Sequence, residues 1–152
     1  MKTRLTYPVK RRLLSIWSRL RCLVSSGCLD FHCNVCGSPC HVQAAGLGRE
    51  QPGCSCGSTV RIRALIHLLS LHFFGKSLAL PDFPVRLDLA GLDMSGADTY
   101  APGLAGKFDY INTFLHRTPM LDITRPEPHW SGRYDFVISS DVFEHVAAPV
   151  QT

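Results

Sequence analysis

The chain has 152 residues, a length typical of one domain or of a small module joined to part of a larger one. Hydrophobic residues make up 45% of it and charged residues 18%, which supports a buried core and excludes wholesale disorder. The formal charge of +4 is uneven, because residues 1–29 carry seven Lys and Arg and no acidic residue, while the rest carries nine basic and twelve acidic residues. The basic excess therefore belongs to the leader, residues 1–29, and does not mark the whole chain as a polyanion binder.

The leader predicts a short amphipathic helix, because apolar residues recur in it at three- and four-residue spacing. These residues are Leu13, Ile16, Trp17, Leu20, Leu23 and Val24. A helix of this kind has four alternative interpretations: it packs on the following domain, lies on an anionic membrane, acts as a transit peptide or contacts nucleic acid. Arg19 and Arg21 interrupt the run where a secretory signal needs an uncharged core, so we expect a cytoplasmic protein. The longest apolar stretch, 64–74, is shorter than the roughly 20 residues that span a bilayer, which argues against a transmembrane helix.

The cysteines carry the most specific signal in the sequence. Cys33 and Cys36 form a Cys-x₂-Cys knuckle, and Gly37 relieves the backbone where the chain reverses. Cys54 and Cys56 provide a second pair after seventeen intervening residues, so four thiolates can close a tetrahedral Zn²⁺ site of the ribbon kind. A four-cysteine site has no open position for water, and we therefore expect the zinc to be structural.

The second pair departs from the commoner Cys-x₂-Cys spacing, so Cys54 is a less certain ligand than the other three. Other candidates for the fourth position are Cys40, His32 and His41. The alternatives to zinc are a disulfide framework and buried free thiols. The odd number of cysteines, seven, and the lack of a recognisable secretory signal argue against disulfides.

Beyond the cysteines the sequence predicts a mixed α/β arrangement. Ser58 and Thr59 begin an apolar helix that ends at Gly75. After the linker 81–84, four apolar segments are typical of strands: 85–89, 108–111, 120–123 and 134–139. A helix is predicted over 97–107, with a first turn weakened by Pro102 and Gly103. The last segment is apolar enough to be buried on both faces, which favours a layered α/β sheet over a β-sandwich.

Polar residues follow each predicted strand. In an open parallel sheet, ligands bind outside the carboxyl ends of the strands. The loop 90–98 follows the first strand, and its small residues let backbone N–H groups approach a ligand. The other three strands are followed by Asn112 and Thr113, by Asp122, and by Ser139, Ser140 and Asp141. We expect side chains from all four strand ends to converge on one crevice.

The segment 134–146, Tyr-Asp-Phe-Val-Ile-Ser-Ser-Asp-Val-Phe-Glu-His-Val, resembles the fourth-strand region of class I S-adenosylmethionine-dependent methyltransferases, the methyltransferase type 11 group in particular. Segments 107–113 and 119–123 likewise resemble bacterial members that carry an N-terminal cysteine ribbon. The resemblance covers residues 30–150 and implies a partial Rossmann-like parallel sheet, of which this chain holds the first four strands. It also implies methyl transfer from S-adenosylmethionine to an acceptor that the sequence does not identify.

The resemblance further implies roles for individual residues. Gly91 and its loop are expected to face the methionine part of the cofactor, Asn112 to lie at the ribose, and Asp122 to meet the adenine amino group. Asp93 stands where the family has a second glycine. The full set of implied cofactor-binding residues is Gly91, Asp93, Ser95, Asn112, Asp122, Ser140 and Asp141. Glu144 and His145 are the candidates for a general base or a substrate contact.

These features divide the chain into a basic leader (1–29), a zinc-ribbon-like module (30–58), a connecting helix and linker (59–84), and the N-terminal half of a methyltransferase domain (85–152). A full methyltransferase sheet has seven strands, so we interpret the sequence as a C-terminally truncated copy, expected to be inactive on its own. The alternative function is a non-catalytic zinc module whose leader and ribbon contact nucleic acid, an anionic membrane surface or a protein partner.

Overall fold

The computed structural model describes residues 27–146, and the predicted leader helix lies outside them. The chain divides into two compact units, one ending at Asp82 and the other beginning at Phe83. The first unit contains an antiparallel hairpin, β1 (Cys28–His32) and β2 (Pro39–Gln43), and the helix α1 (Val60–Phe74). The second contains β3 (Arg86–Met94), α2 (Ala101–Ala105), β4 (Phe108–Thr113) and β5 (Phe136–Ser139).

Helix α1 begins and ends where the sequence predicts. The Thr59 side chain accepts a hydrogen bond from the backbone N–H of Ile62, which satisfies one of the unpaired donors of the first turn. Gly75 ends the helix with a left-handed backbone (φ +67°), and its N–H bonds the carbonyl of Leu71. Because Ile62 and Ile66 share the buried face, the helix contributes directly to the core of the first unit.

The second unit is built on a parallel sheet with the strand order β4-β3-β5. After β3 the chain forms β4, which pairs with one edge of β3. It then crosses back, and β5 pairs with the opposite edge of β3. The strand order therefore reverses between β3 and β5. Met94, the last residue of β3, lies opposite Thr113 of β4 and Ser139 of β5, so the three strands end side by side.

Aromatic residues fill the core of the second unit. The rings of Phe83 and Phe108 meet edge to face with centroids 6.4 Å apart, and Phe108 meets Phe136 in the same way at 5.2 Å. Such edge-to-face pairs stabilise a core beyond the area that they bury. Leu104 of α2 is fully buried, so the short helix is anchored to the same core.

The predicted first strand, 85–89, is too short, because β3 continues to Met94. Gly91 and Asp93, expected in a loop, therefore lie inside the central strand. Gly91 is opposite Phe136, and a Cβ atom at position 91 would overlap the Phe136 ring. The glycine at this position permits close packing of β5 on β3.

The prediction of four parallel strands is wrong, because the described residues of the second unit form three. Segment 120–123 contributes only an isolated parallel bridge between Phe114 and Met120. The Asp122 side chain accepts hydrogen bonds from the backbone N–H and hydroxyl of Thr124, and this local turn diverts the chain before a strand forms.

The helix predicted over 97–107 forms only over the five residues of α2. Pro102, which has no backbone N–H, is tolerated only in a first turn, and it lies in the first turn of α2. Within residues 27–146, no helix combines the length and hydropathy that a bilayer span requires.

Candidate functional site

Two similar turns place the four cysteines of the predicted ribbon. In the first turn, the N–H of Gly37 bonds the carbonyl of Cys33 at 2.7 Å. In the second, the N–H of Gly57 bonds the carbonyl of Cys54 at 3.0 Å. Both glycines are left-handed, with φ of +75° and +87°, a conformation that few other residues adopt. The Cys-x-Cys spacing therefore corresponds to a second turn that is one residue shorter than the first.

The four cysteines are positioned to bind a metal ion. They are Cys33, Cys36, Cys54 and Cys56, and their Sγ atoms all lie within 4.8 Å of one another. The Sγ atoms of Cys33 and Cys56 are 3.8 Å apart, and those of Cys36 and Cys54 are 3.6 Å apart. A Zn–S bond of about 2.3 Å in a tetrahedron separates neighbouring sulfurs by about 3.8 Å. The spacing fits a tetrahedral ion and is far longer than the roughly 2.05 Å of a disulfide.

The electrostatics of the cluster favour a thiolate at Cys33. The hydrogen bond from Cys54 lowers the pKa of the Cys33 thiol to about 4, and a further bond from Ser58 acts in the same direction, while burial opposes both. The pKa of Cys54 is raised, chiefly because its thiol donates to Cys33. Because thiols bind a metal ion as thiolates, metal binding at this cluster releases the remaining thiol protons.

Residues around the cluster orient its buried sulfur. The Ser58 hydroxyl lies 3.1 Å from the Sγ of Cys33, and both residues are fully buried. Arg63 of α1 donates to the Ser58 carbonyl at 2.8 Å, and its guanidinium lies over the ring of Phe31 at 5.0 Å. The side chain of Asn34 donates to the carbonyl of Arg63 at 2.8 Å, which ties the first turn to the helix.

The other candidate ligands differ in their placement. Cys40 is buried, and its Sγ contacts the carbonyl of Ser38 at 3.6 Å. His41 is paired with Asp30, its cross-strand neighbour, through Nδ1. His32 is exposed at the end of β1, and neither histidine is among the four residues of the cluster. Cys28 is disulfide-bonded.

In the second unit, a cavity of about 350 Å³ lies at the carboxyl ends of the parallel strands. Met94 lines it at the end of β3 and Thr113 at the end of β4, while Val142 and His145 follow β5. Its walls are mostly apolar and include Phe114, Leu115, Leu121, Ile123 and Val146. Ligand pockets typically measure about 300–1,000 Å³ and combine apolar walls with a few polar groups, so this cavity is large enough for a small organic ligand.

Three of the predicted cofactor or catalytic residues line this cavity: Ser95, Asp122 and His145. The hydrogen bonds from Thr124 lower the pKa of the Asp122 carboxyl and both go to Oδ1, which leaves Oδ2 able to accept from a ligand. The Nε2 of His145 lies 3.6 Å from the Oε1 of Glu144. Glu144, Ser140 and Asp141 follow β5 as predicted, but they are not part of the cavity wall.

Gly91, Asp93 and Asn112 lie outside the cavity wall, and each has a packing or bonding role. The Asn112 amide donates to the carbonyl of Gly96 and accepts from its N–H, at 2.9 and 2.8 Å, so it fixes the loop after β3. Asp93 is fully buried and accepts a hydrogen bond from the Tyr110 hydroxyl. Burial raises the pKa of the Asp93 carboxyl above its ordinary range.

The strand ends beside the cavity are strained. Among the described residues, Ser95 and Asp141 are the non-glycine residues with positive φ, at 61° and 58°. Ser95 directly follows β3, and Asp141 lies two residues after its neighbour β5. The Oγ of Ser139, the last residue of β5, is buried and has no hydrogen-bond partner. Left-handed non-glycine residues and unsatisfied buried polar atoms concentrate where proteins bind ligands.

Thr113, expected at a strand end, lines the cavity. Sequence reasoning missed Ser58 and Arg63 at the cysteine cluster and Met94 and Val142 at the cavity. Ser58 carried a signal, since a hydroxyl directly after a Cys-Gly turn is well placed to hydrogen-bond a thiolate. The cavity residues carried none, because an apolar side chain at a strand end looks the same whether it lines a pocket or a core. No protein-family model matches the chain, and no curated protein or solved structure shows a significant match to it.

Proposed function

We propose that this protein is a zinc-containing, S-adenosylmethionine-dependent methyltransferase of Rossmann-like type, in which the four cysteines hold a structural Zn²⁺. A tetrahedral set of four sulfur ligands suits zinc or iron, and zinc adds folding energy without redox chemistry. With four thiolates the ion has no vacant position, so the metal stabilises the first unit and takes no part in the reaction. The described chain holds five free thiols and the disulfide-bonded Cys28, so its cysteines do not decide the compartment.

The position of the cavity carries the catalytic part of the proposal. Ligands of open parallel sheets bind outside the carboxyl ends of the strands where the strand order reverses. This cavity is lined by the ends of β3 and β4 and by the segment that follows β5, on the other side of that reversal. This edge of the sheet also holds the two left-handed residues, Ser95 and Asp141. The unpaired hydroxyl of Ser139 lies at the same edge, at the end of β5. The carboxyl edge of the sheet thus has the features of a ligand site.

The donor set of the cavity fits the proposed cofactor. The carboxylate of Asp122 could accept hydrogen bonds from an exocyclic amine, and the apolar side chains of Phe114, Leu121 and Met94 would offer an aromatic base a water-poor surface. When bound, S-adenosylmethionine supplies an electrophilic methyl group. Positioning of the acceptor would account for much of the rate in such a transfer, and His145, which lines the cavity, would be the group that accepts a proton from it.

Isothermal titration of S-adenosylmethionine and S-adenosylhomocysteine into the zinc-loaded protein tests the cofactor site. We expect micromolar binding by the wild-type protein and by Asp109→Ala, which removes an exposed carboxylate of β4 outside the cavity. Asp122→Ala is expected to abolish binding. Asp122→Asn keeps an oxygen that can accept the hydrogen bonds from Thr124 but removes the carboxylate. Comparison of the two variants therefore distinguishes the effect of losing the turn from the effect of losing the carboxylate. Absence of binding by the folded wild-type protein refutes the cofactor site and favours a non-catalytic zinc module.

A further inference from the structure

Helix α1 is apolar on two opposite faces. Ile62 and Ile66 lie on the buried face. The opposite face carries exposed apolar residues at spacings of three and four, which place them on one side of the helix: Val60, Ala64, Leu68 and Leu71. Leu68 is 65% exposed and Leu71 is 42% exposed. A helix that is apolar all round is typically buried all round, so these four residues, the outer stripe, are expected to be covered.

The leader carries an apolar stripe of the same length. Its apolar residues from Leu13 to Val24 recur at helical spacing, while Arg19 and Arg21 fall outside that stripe. A helix rises about 1.5 Å per residue, so this stripe and the outer stripe would each be about 16.5 Å long. Arg61, the arginine beside the outer stripe, is paired with Glu50 at 2.8 Å, so the leader does not meet an uncompensated arginine there.

The chain itself holds the leader close to α1. Residue 24 lies three positions before residue 27, where the described chain begins, and β1 follows directly. The guanidinium of Arg63 in α1 lies over the ring of Phe31 in β1 at 5.0 Å, so the strand that the leader enters contacts the helix. Cys28 is disulfide-bonded and the other five described cysteines are free. Its partner therefore lies outside the described residues, where the sequence has one cysteine, Cys22 of the leader.

We propose that residues 13–24 of the leader form a helix whose apolar stripe packs on the outer stripe of α1. The contact removes Leu68 and Leu71 from water, and this burial of apolar surface stabilises it. A short tether raises the effective concentration of one segment at another to the order of millimolar, so the leader reaches the outer stripe before a second copy of the chain does. The docked leader has its apolar side covered, and an anionic membrane surface then lacks the face that it would bind.

Photocross-linking of the full chain tests this contact. Leu68→p-benzoylphenylalanine places a light-activated cross-linker on the outer stripe, and we expect the reduced and digested protein to contain cross-links from position 68 to residues 13–24. Leu87→p-benzoylphenylalanine is the matched control, because Leu87 is also a leucine and is 64% exposed, but lies in β3. Leu20→Glu, on the apolar stripe of the leader, is expected to abolish the cross-link from position 68. Ser18→Glu, on the polar side, is expected to leave it unchanged.

A mixture of unlabelled and nitrogen-15-labelled protein identifies the source of the cross-linked peptides. We expect both peptides of each cross-link to carry the same label, since the leader and α1 belong to one chain. Cross-links with mixed labels would show that a second copy covers the outer stripe, which refutes the proposal. Absence of cross-links to residues 13–24, or equal yields from positions 68 and 87, also refutes it. Leu71→p-benzoylphenylalanine repeats the test from a second position of the outer stripe if the variant at position 68 does not fold.

Discussion

Asp93 is the buried acidic residue of the central strand. Its side chain is fully buried, and the Tyr110 hydroxyl donates to its Oδ2. Burial disfavours the charged form and raises the pKa of the carboxyl, while the hydrogen bond from Tyr110 opposes this shift. Because the folded pKa is raised above the unfolded value, the stability that Asp93 contributes is fully present below the unfolded pKa of about 3.9 and is lost as the pH rises.

Asp93→Asn is therefore expected to change the pH dependence of stability. Asparagine keeps an oxygen for the Tyr110 hydroxyl but carries no charge, so the variant gains stability relative to the wild type as the pH rises from 4 to 7. Melting temperatures of both proteins at the two pH values measure this gain. Asp109→Asn, at an exposed position of β4, is the control and is expected to show no such trend. A constant difference between wild type and Asp93→Asn would contradict the raised pKa.

Gly91 is required for space, and not for an unusual backbone conformation. A Cβ atom at this position would overlap the ring of its cross-strand partner Phe136, so Gly91→Ala must displace the ring that packs on Phe108. Overpacking of this kind typically costs about 1–3 kcal/mol. Gly106→Ala is the control, because a Cβ there would lie 3.6 Å or more from its neighbours. Urea unfolding measures both variants, and equal free energies of unfolding would refute the packing role.

At the scale of elements, the two cysteine turns depend on Ser58 as well as on their own sulfurs. Ser58→Ala removes the hydroxyl that hydrogen-bonds the Cys33 sulfur and leaves the four ligands in place. Loss of an outer partner of this kind typically weakens metal binding about 10–100-fold, and we expect the same for zinc here. Competition with a chromophoric chelator measures the affinity. Ser55→Ala, at an exposed position of the same turn, is expected to bind as the wild type does.

The elements that the sequence predicted well are those that depend on local chemistry. Thr59 and Gly75 define α1 by capping bonds within a few residues, and the spacing of the cysteines predicts the cluster because each pair lies in one tight turn. The end of β3 was not predictable in this way. Ala-Gly-Leu-Asp has the composition of a loop, but pairing with β4 on one side and β5 on the other keeps it extended.

The cavity illustrates the same limit. Asp122 was identified because it is a polar residue directly after a predicted strand, and His145 was identified through the resemblance to methyltransferases. Thr113 was expected at the end of a strand in the same way. Met94 reaches the cavity through the register between β3 and β4, a long-range pairing that no local pattern encodes. The predicted strand over 120–123 failed for the opposite reason, since a local turn between Asp122 and Thr124 prevailed over an apolar run.

At the scale of the whole molecule, the two units have different sources of stability. The second unit has a parallel sheet and an aromatic core. The described part of the first unit, residues 27–82, has one hairpin and one helix. Modules built on one hairpin and one helix bury a limited apolar area and commonly rely on metals or disulfides. The proposed zinc ion is therefore expected to supply much of the folding free energy of the first unit.

Removal of the metal should then act on one unit and spare the other. We expect a chelator to increase hydrogen exchange across residues 27–82, strongly in the cysteine turns and in α1, while amides of β3 and β4 keep their protection. Titration of S-adenosylmethionine into the metal-free protein is expected to give the same affinity as before, since no cysteine of the cluster lines the cavity. Hydrogen exchange read by mass spectrometry, with zinc restored as the control, measures the effect. Unchanged exchange in residues 27–82 after complete metal removal would show that the first unit folds without it.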